Sequence, residues 1–172
     1  MIKVSIKQTS GFKSNVSLYV DGASRIKNNV ITEDTLGAYS YSLEYQGVEK
    51  SGSYLTLGKT NNYNEIKALI IGLKAMNRYD IPVVAYSDSA YVVDCLQKGW
   101  WKKWEKNNWD KEGGLKNADL WKELITTIRM FDSFRIEKVK GHSTNERNNH
   151  VDYLNNKTMD NYLAGIEVKL DI

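Results

Sequence analysis

The stretch Ser17-Leu18-Tyr19-Val20-Asp21-Gly22-Ala23-Ser24 decides how the rest of the chain is read. Val16, Leu18 and Val20 alternate with polar or amphipathic neighbours, which is the period of a strand with two different faces. Gly22 allows a sharp turn, so the expectation is a strand that ends at an exposed Asp21. An Asp-Gly pair by itself is an ordinary turn. A second run, Val83-Val84-Ala85-Tyr86-Ser87-Asp88, also ends in an aspartate and leads into a helical pattern. Two parallel strands side by side, about 4.8 Å apart, would bring both carboxylates to one sheet edge. That edge, beyond the carboxyl ends of the strands, is where open α/β sheets hold ligands. Asp88 is equally well placed to cap the helix that follows it.

Outward from these strands the chain keeps a regular order. Arg25 to Thr35 reads as a loop, and Leu36 to Tyr45 alternates Tyr39, Tyr41, Leu43 and Tyr45 against smaller residues. Gln46-Gly47 turns the chain back into Val48 to Thr56, so the first three strands form an antiparallel meander. From Asn61 to Met76 the period becomes helical, with Ile66, Leu69, Ile70, Leu73 and Met76 on one face and a capping-box spacing between Asn62 and Glu65. A short helix carries Tyr91, Val92 and Cys95, and a longer one carries Leu120, Trp121, Leu124, Ile125 and Ile128. Phe134 to Val139 is a fifth strand, Lys140 to Asn149 a polar loop, and a last helix runs from about His150 towards Tyr162. The pattern is that of a mixed α/β sheet with helices packed against it.

The 172 residues suit one domain, with residues 1–13 as an N-terminal arm or edge strand and 166–172 as a C-terminal tail. Hydrophobic residues at 41%, charged residues at 26% and no long apolar run describe a soluble protein, with neither a signal peptide nor a membrane span. The lone Cys95 excludes an intrachain disulfide and suits a reducing cytoplasm. A net charge of +3 permits a polyanionic partner without demanding one. The distribution is more telling: all five tryptophans, Trp100, Trp101, Trp104, Trp109 and Trp121, fall in one region interleaved with lysines. Ile2, Val4 and Ile6 at one end, and Ile166, Val168, Leu170 and Ile172 at the other, have strand period. The tail is expected to pair with residues 2–7 of its own chain or with a neighbouring molecule.

Glu65, in the first turn of its helix, and Asp152, in the first turns of the last helix, are placed by this topology to point at the same edge as Asp21 and Asp88. Acids near helix N-termini are common for dipole reasons alone. Four converging carboxylates, however, repel one another by several kcal/mol unless cations neutralise them. An all-oxygen ligand set favours Mg²⁺ over zinc.

Tyr19-Val20-Asp21-Gly22-Ala23-Ser24, Thr60-Asn61-Asn62-Tyr63-Asn64-Glu65, Tyr86-Ser87-Asp88-Ser89-Ala90-Tyr91-Val92 and Val139-Lys140-Gly141-His142, with Asp152 ten residues further on, closely resemble type 1 ribonuclease H. The resemblance runs from about Val16 to Tyr162 in the family's order and spacing. It implies the ribonuclease H-like fold, a five-stranded mixed sheet of order 3-2-1-4-5 flanked by helices. It also implies an endonuclease that cuts the RNA strand of an RNA–DNA hybrid and leaves 5′-phosphate and 3′-hydroxyl ends. On this resemblance Asp21, Glu65, Asp88 and Asp152 hold two Mg²⁺ ions, with Mn²⁺ as a substitute, and His142 assists proton transfer or product release. Asn61 and Asn62 correspond to residues that read the minor groove. Thr60 and Asn117 correspond to a phosphate grip on the DNA strand, with Lys59 adding charge.

The segment 98–116 resembles the basic handle of some family members. Trp100 and Trp104 are expected to offer a flat surface to a deoxyribose, with Lys102, Lys103 and Lys106 meeting phosphates. Trp121 and Trp109 are expected to pin the handle to the body. The resemblance includes no separate N-terminal hybrid-binding domain, and the expected state is a cytoplasmic monomer without an obligate protein partner. Three other readings stand beside it: a related metal nuclease or DNA strand-transfer enzyme of the same fold, a non-catalytic binder of hybrid or duplex RNA, and the nuclease part of a larger polymerase. The complete set of acids speaks against a pure binder, which gains nothing from four repelling charges.

Overall fold

The computed structural model describes residues 15–111, 113–141 and 144–172. The alternation of Ile2, Val4 and Ile6 and the candidate His142 lie outside the described residues. The elements are β1 (Val16–Ser24), β2 (Leu36–Tyr45), β3 (Val48–Leu57), α1 (Asn61–Lys74), β4 (Val83–Ser87), α2 (Ala90–Lys98), α3 (Trp100–Lys106), α4 (Ala118–Ile128), β5 (Phe134–Lys138) and α5 (Glu146–Leu163). The sheet order is β3-β2-β1-β4-β5, with β1 to β3 antiparallel and β4 and β5 parallel to β1. This is the ribonuclease H-like fold that the sequence resemblance implies.

Strand alternation sorts side chains to the two faces. Leu18 pairs with Leu43 and Val20 with Tyr41, and α1 covers this face with Ile66, Leu69, Ile70 and Leu73, all fully buried. Each such side chain contributes about 1.5–3 kcal/mol by leaving water. The helix lies so close that a Cβ at Gly72 would come within 2.7 Å of Leu18 Cδ1, so a larger residue there would require the Leu18 side chain to shift. Trp101, Trp121, Leu124 and Ile128 extend the same cluster under α3 and α4. No helix among the described residues is long and apolar enough to cross a membrane.

Several sequence expectations are corrected. β1 does not stop at Asp21 but continues to Ser24, and Asp21 is only 6% exposed. Gly22 serves close approach rather than a turn: a Cβ there would lie 2.3 Å from the Asn64 carbonyl carbon, so a side chain would push α1 off the strand. α1 is capped by Thr60, whose hydroxyl accepts from the Tyr63 N–H at 3.0 Å, so the Asn62–Glu65 capping box does not form. α5 begins at Glu146, four residues before His150, because Asn145 caps it by accepting from the Asn148 N–H at 3.0 Å. Of the partners expected for the tail, residues 2–7 lie outside the described residues. The tail lies on the outer edge of β3, where the Leu55 N–H donates to Lys169 O (2.8 Å) and the Asp171 N–H donates to Leu55 O (2.9 Å).

Candidate active site

The register of the central strands sets the site. Tyr19 is level with Tyr86 in the β1–β4 ladder, so two residues further along both strands Asp21 comes level with Asp88, just where β4 has ended. Glu65 reaches the same point from the first turns of α1, and its carboxylate accepts the Gly22 N–H. One ligand oxygen from each of Asp21, Glu65 and Asp88 lies within 4.8 Å of the other two. Asp88 is not a helix cap, because Ser89 fills that role by accepting from the Val92 N–H at 3.2 Å. Asp152 lies on the second turn of α5, half-buried, and stands outside this group of three, though its charge acts on Asp21.

Crowding shows in the acidities. Burial, then the neighbouring Asp88 and Asp152 charges, push the Asp21 carboxyl from its ordinary 3.8 up to about 8, against a hydrogen bond with Glu65 that works the other way. Burial, then Asp21 and Asp88, hold Glu65 well above its usual range, opposed by the Gly22 N–H. Among the described residues no lysine or arginine forms an ion pair with these acids. A cluster of carboxylate oxygens, two of its three residues buried and Asp88 half-buried, without a cationic side chain matches the donor chemistry of a hard divalent cation. These three residues can hold a divalent metal.

Five of the ten expected nucleic-acid contacts, Thr60, Asn62, Trp100, Trp104 and Asn117, line a cleft of about 750 Å³ together with Lys111 and Lys116. Asn117 stands at the start of α4 with φ 59° and makes no side-chain cap bond. Asn61 is tied to the end of β1, its Oδ1 accepting the Ser24 N–H at 2.7 Å. Lys59 lies outside the cleft lining, its Nζ 4.7 Å over the Tyr63 ring. Trp100 is 41% exposed, whereas Trp104 is half-buried with its ring 5.6 Å from Trp121. Trp101 and Trp121 are the buried anchors of the handle, and Trp109 packs partly buried against the same cluster. Lys102, Lys103 and Lys106 are exposed but do not line this cleft; Lys111 and Lys116 do.

The ribonuclease H family model matches residues 13–160. A ribonuclease H of Caldicellulosiruptor saccharolyticus is 40% identical over 80% of this chain and 90% of its own length. One of Clostridium botulinum is 36% identical over 86% of this chain and 97% of its own. The chain belongs to the ribonuclease H family, as a type 1 member. Solved structures share the fold: LC9-RNase H1 superimposes with a TM-score of 0.75 at 20% identity, covering 88% of this chain and 75% of that one. RNase H1 from Halobacterium salinarum does so with 0.61 at 24% identity, covering 86% and 99%. LC11-RNase H1, solved in complex with an RNA/DNA hybrid, gives 0.62 at 20% identity over 87% and 99%. As a ribonuclease H with a clustered acidic triad, this chain is a metal-dependent nuclease.

This ribonuclease H has a polar layer that the sequence reading overlooks. Asn155, fully buried on α5, donates from Nδ2 to Asp21 Oδ2 at 3.2 Å and accepts at Oδ1 from Ser40 Oγ at 2.5 Å. Arg147, also on α5, reaches Glu44 (3.0 Å), Glu49 (2.7 Å) and Ser42 (2.8 Å). The signal lay in β2, where Ser40, Ser42 and Glu44 alternate with Tyr39, Tyr41 and Leu43. That alternation looks like a solvent face, but α5 covers it.

Proposed function

We infer that the protein is an endoribonuclease that hydrolyses the RNA strand of RNA–DNA hybrids, with Asp21, Glu65, Asp88 and Asp152 as its metal-holding acids. The observation that carries this reading is the three-carboxylate cluster at the carboxyl end of β4, with Asp21 and Glu65 buried, Asp88 half-buried and no basic partner among the described residues. These acids would hold Mg²⁺, two ions with substrate or Mn²⁺ in their place, and the chemistry supplied there would be activation of the attacking water and stabilisation of the leaving 3′-oxygen, which would give 5′-phosphate and 3′-hydroxyl ends. Asp21 within β1 and Asp88 just past the end of the adjacent β4 set the separation of the ligand oxygens, and the Gly22 N–H orients Glu65. His142 is assigned proton transfer on the strength of the resemblance.

Thr60 and Asn117 line one cleft with Trp100, which suits a grip on one phosphate with a ring close by for the neighbouring sugar. Asn61 uses its carbonyl oxygen on Ser24 and keeps its amide NH₂ for a minor-groove acceptor, beside Asn62. Lys59, Lys102, Lys103 and Lys106 supply a surrounding positive field. We assign the whole chain to one domain acting as a cytoplasmic monomer.

The test is cleavage of labelled hybrid, duplex DNA and duplex RNA, each with Mg²⁺ and with chelator. The expected result is metal-dependent internal cutting of the RNA strand of the hybrid alone. Asp88→Asn should abolish turnover while hybrid binding and melting persist. Equal turnover by Asp88→Asn and wild type would overturn the site.

A further inference from the structure

A row of polar groups crosses three strands beneath α5. Asp21 on β1 pairs with Ser40 on β2, and Ser40 pairs with Ser53 on β3, so all three project to one face of the sheet. Two α5 residues, three apart and therefore on one side of the helix, meet this row. Asn155 bridges Asp21 and Ser40, and Thr158 Oγ1 lies 2.6 Å from Ser53 Oγ. The Ser40 and Ser53 hydroxyls share a hydrogen bond of 2.7 Å. The result is one continuous chain, Thr158–Ser53–Ser40–Asn155–Asp21, most of it inaccessible to water.

The chemistry of each member sets the direction of the last link. An amide has one accepting end and one donating end. Ser40 donates to Oδ1 of Asn155, so Nδ2 is the end that faces Asp21. The Asp21 carboxylate is thereby held by one of its two oxygens. Its rotation about the side-chain bonds is restrained before any ligand arrives. Groups that hydrogen-bond a ligating carboxylate from behind typically govern metal affinity by 10- to 100-fold.

We propose that Asn155 is a positioning residue for the metal centre, fixing the Asp21 carboxylate through a hydrogen-bonded row that is itself anchored on Ser40. This rests on the reading of Asp21 as a metal ligand. The row also helps to explain how α5, with few apolar residues, packs closely on the sheet, since its buried Asn155 and Thr158 find directional partners there.

The experiment separates positioning from mere packing. Mn²⁺ binding is measured by titration calorimetry, in the absence of nucleic acid, on wild type, Asp21→Asn, Asn155→Leu and the double variant Ser40→Ala/Asn155→Leu. Melting and the Mg²⁺ dependence of hybrid cleavage are measured on the same proteins. Asn155→Leu should weaken Mn²⁺ binding about tenfold or more and move cleavage to correspondingly higher Mg²⁺. It should also lower melting, because Ser40 loses its acceptor. Removing both partners of a buried hydrogen bond is nearly neutral for stability, so the double variant should recover melting but keep the weakened metal affinity. Metal affinity that recovers together with melting, or that stays within twofold of wild type in both variants, would overturn the proposal while Asp21→Asn still loses binding. Wild-type Mn²⁺ binding by Asp21→Asn would instead remove Asp21 from the ligand set, and the proposal with it.

Discussion

Under α1 the sheet presents Leu18, Val20, Tyr41 and Leu43, whereas under α5 it presents Asp21, Ser40, Ser42 and Glu44. Both faces are covered by a helix, yet they are held by different forces. Apolar contact is non-directional and scales with area, so the α1 face contributes stability without specifying where any one atom points. Hydrogen bonds weaken steeply with angle, so the α5 face contributes less net energy per contact but fixes orientation. Asp21 belongs to the second face. The acid that most needs a defined direction sits where the directional contacts are.

The largest effect should come from breaking the α5 face at its catalytic end. Asp21→Asn is expected to lower the rate of hybrid cleavage at least about 10³-fold, roughly 4 kcal/mol of barrier. Its stability should respond in the opposite sense. In the metal-free protein Asp21 retains its proton up to about pH 8, whereas the unfolded chain releases it near 3.8. Across that window the folded state binds more protons, so stability falls as pH rises. Melting in chelator should therefore drop between pH 5 and pH 8, Mg²⁺ should reverse the drop, and Asp21→Asn should flatten it. A melting curve independent of pH in chelator would show that the carboxylates are not crowded in solution.

Breaking the α1 face should do the reverse. Leu69, fully buried against the sheet, leaves a cavity when cut to alanine, at a cost of about 2–5 kcal/mol. The Mg²⁺ dependence of cleavage by the folded fraction should stay at the wild-type value. A shift in that dependence would mean that apolar packing also orients the site, and the contrast between the faces would fail.

The contrast also explains what could be read in advance. The tyrosine and leucine alternation of β2, the helical period of α1 and the Asp-ended strands β1 and β4 each carry their partner's chemistry in the local sequence. The acids Asp21, Glu65 and Asp88 were legible because like charges gathered by topology have few structural uses. Ser40 and Asn155 were not, since they lie 115 positions apart and short polar residues look the same on a wet face as under a helix. Gly22 was misread for a related reason. Its sequence neighbours suggest a turn, and only the approach of α1 shows why a side chain is excluded. Trp101 and Trp104 differ in burial although three residues apart, because α3 turns one towards the core and leaves the other beside the cleft.

A smaller effect is expected at the tail, which closes the far edge of the apolar face. Asp171 accepts hydrogen bonds from Tyr39 (2.9 Å) and Tyr63 (2.7 Å) and lies 3.4 Å from the ammonium of Lys67, a lysine only 6% exposed. Deleting residues 166–172 removes this counter-charge and uncovers the β3 edge. The expected cost is about 1–3 kcal/mol in melting or denaturant titration, below the full penalty for a buried pair because Asp171 itself is partly exposed. Cleavage of saturating hybrid should be unchanged. Unaltered melting would show that the tail contacts carry no net stability.

The smallest effect concerns the handle, which grows out of the apolar side: Trp101 and Trp121 belong to the same buried cluster as Leu69. If that side supplies scaffold only, the chemistry of the handle must reside in its exposed charges. Two arrangements are distinguishable. Lys111 and Lys116 line the cleft shared with Thr60, Asn62 and Asn117, whereas Lys102, Lys103 and Lys106 face solvent beyond its lining. A lysine that meets one phosphate releases counterions and adds about 0.9 to the slope of log affinity against log salt; one that only adds to the field contributes less. Lys111→Ala/Lys116→Ala should therefore weaken hybrid binding a few-fold at moderate salt and make the slope shallower by roughly one to two. The triple variant at Lys102, Lys103 and Lys106 should change the slope less per lysine removed, and neither variant should alter the maximal rate on saturating hybrid. Equal slope changes per lysine in the two variants would show that the handle acts as a diffuse field, and that the cleft does not select the phosphates it meets.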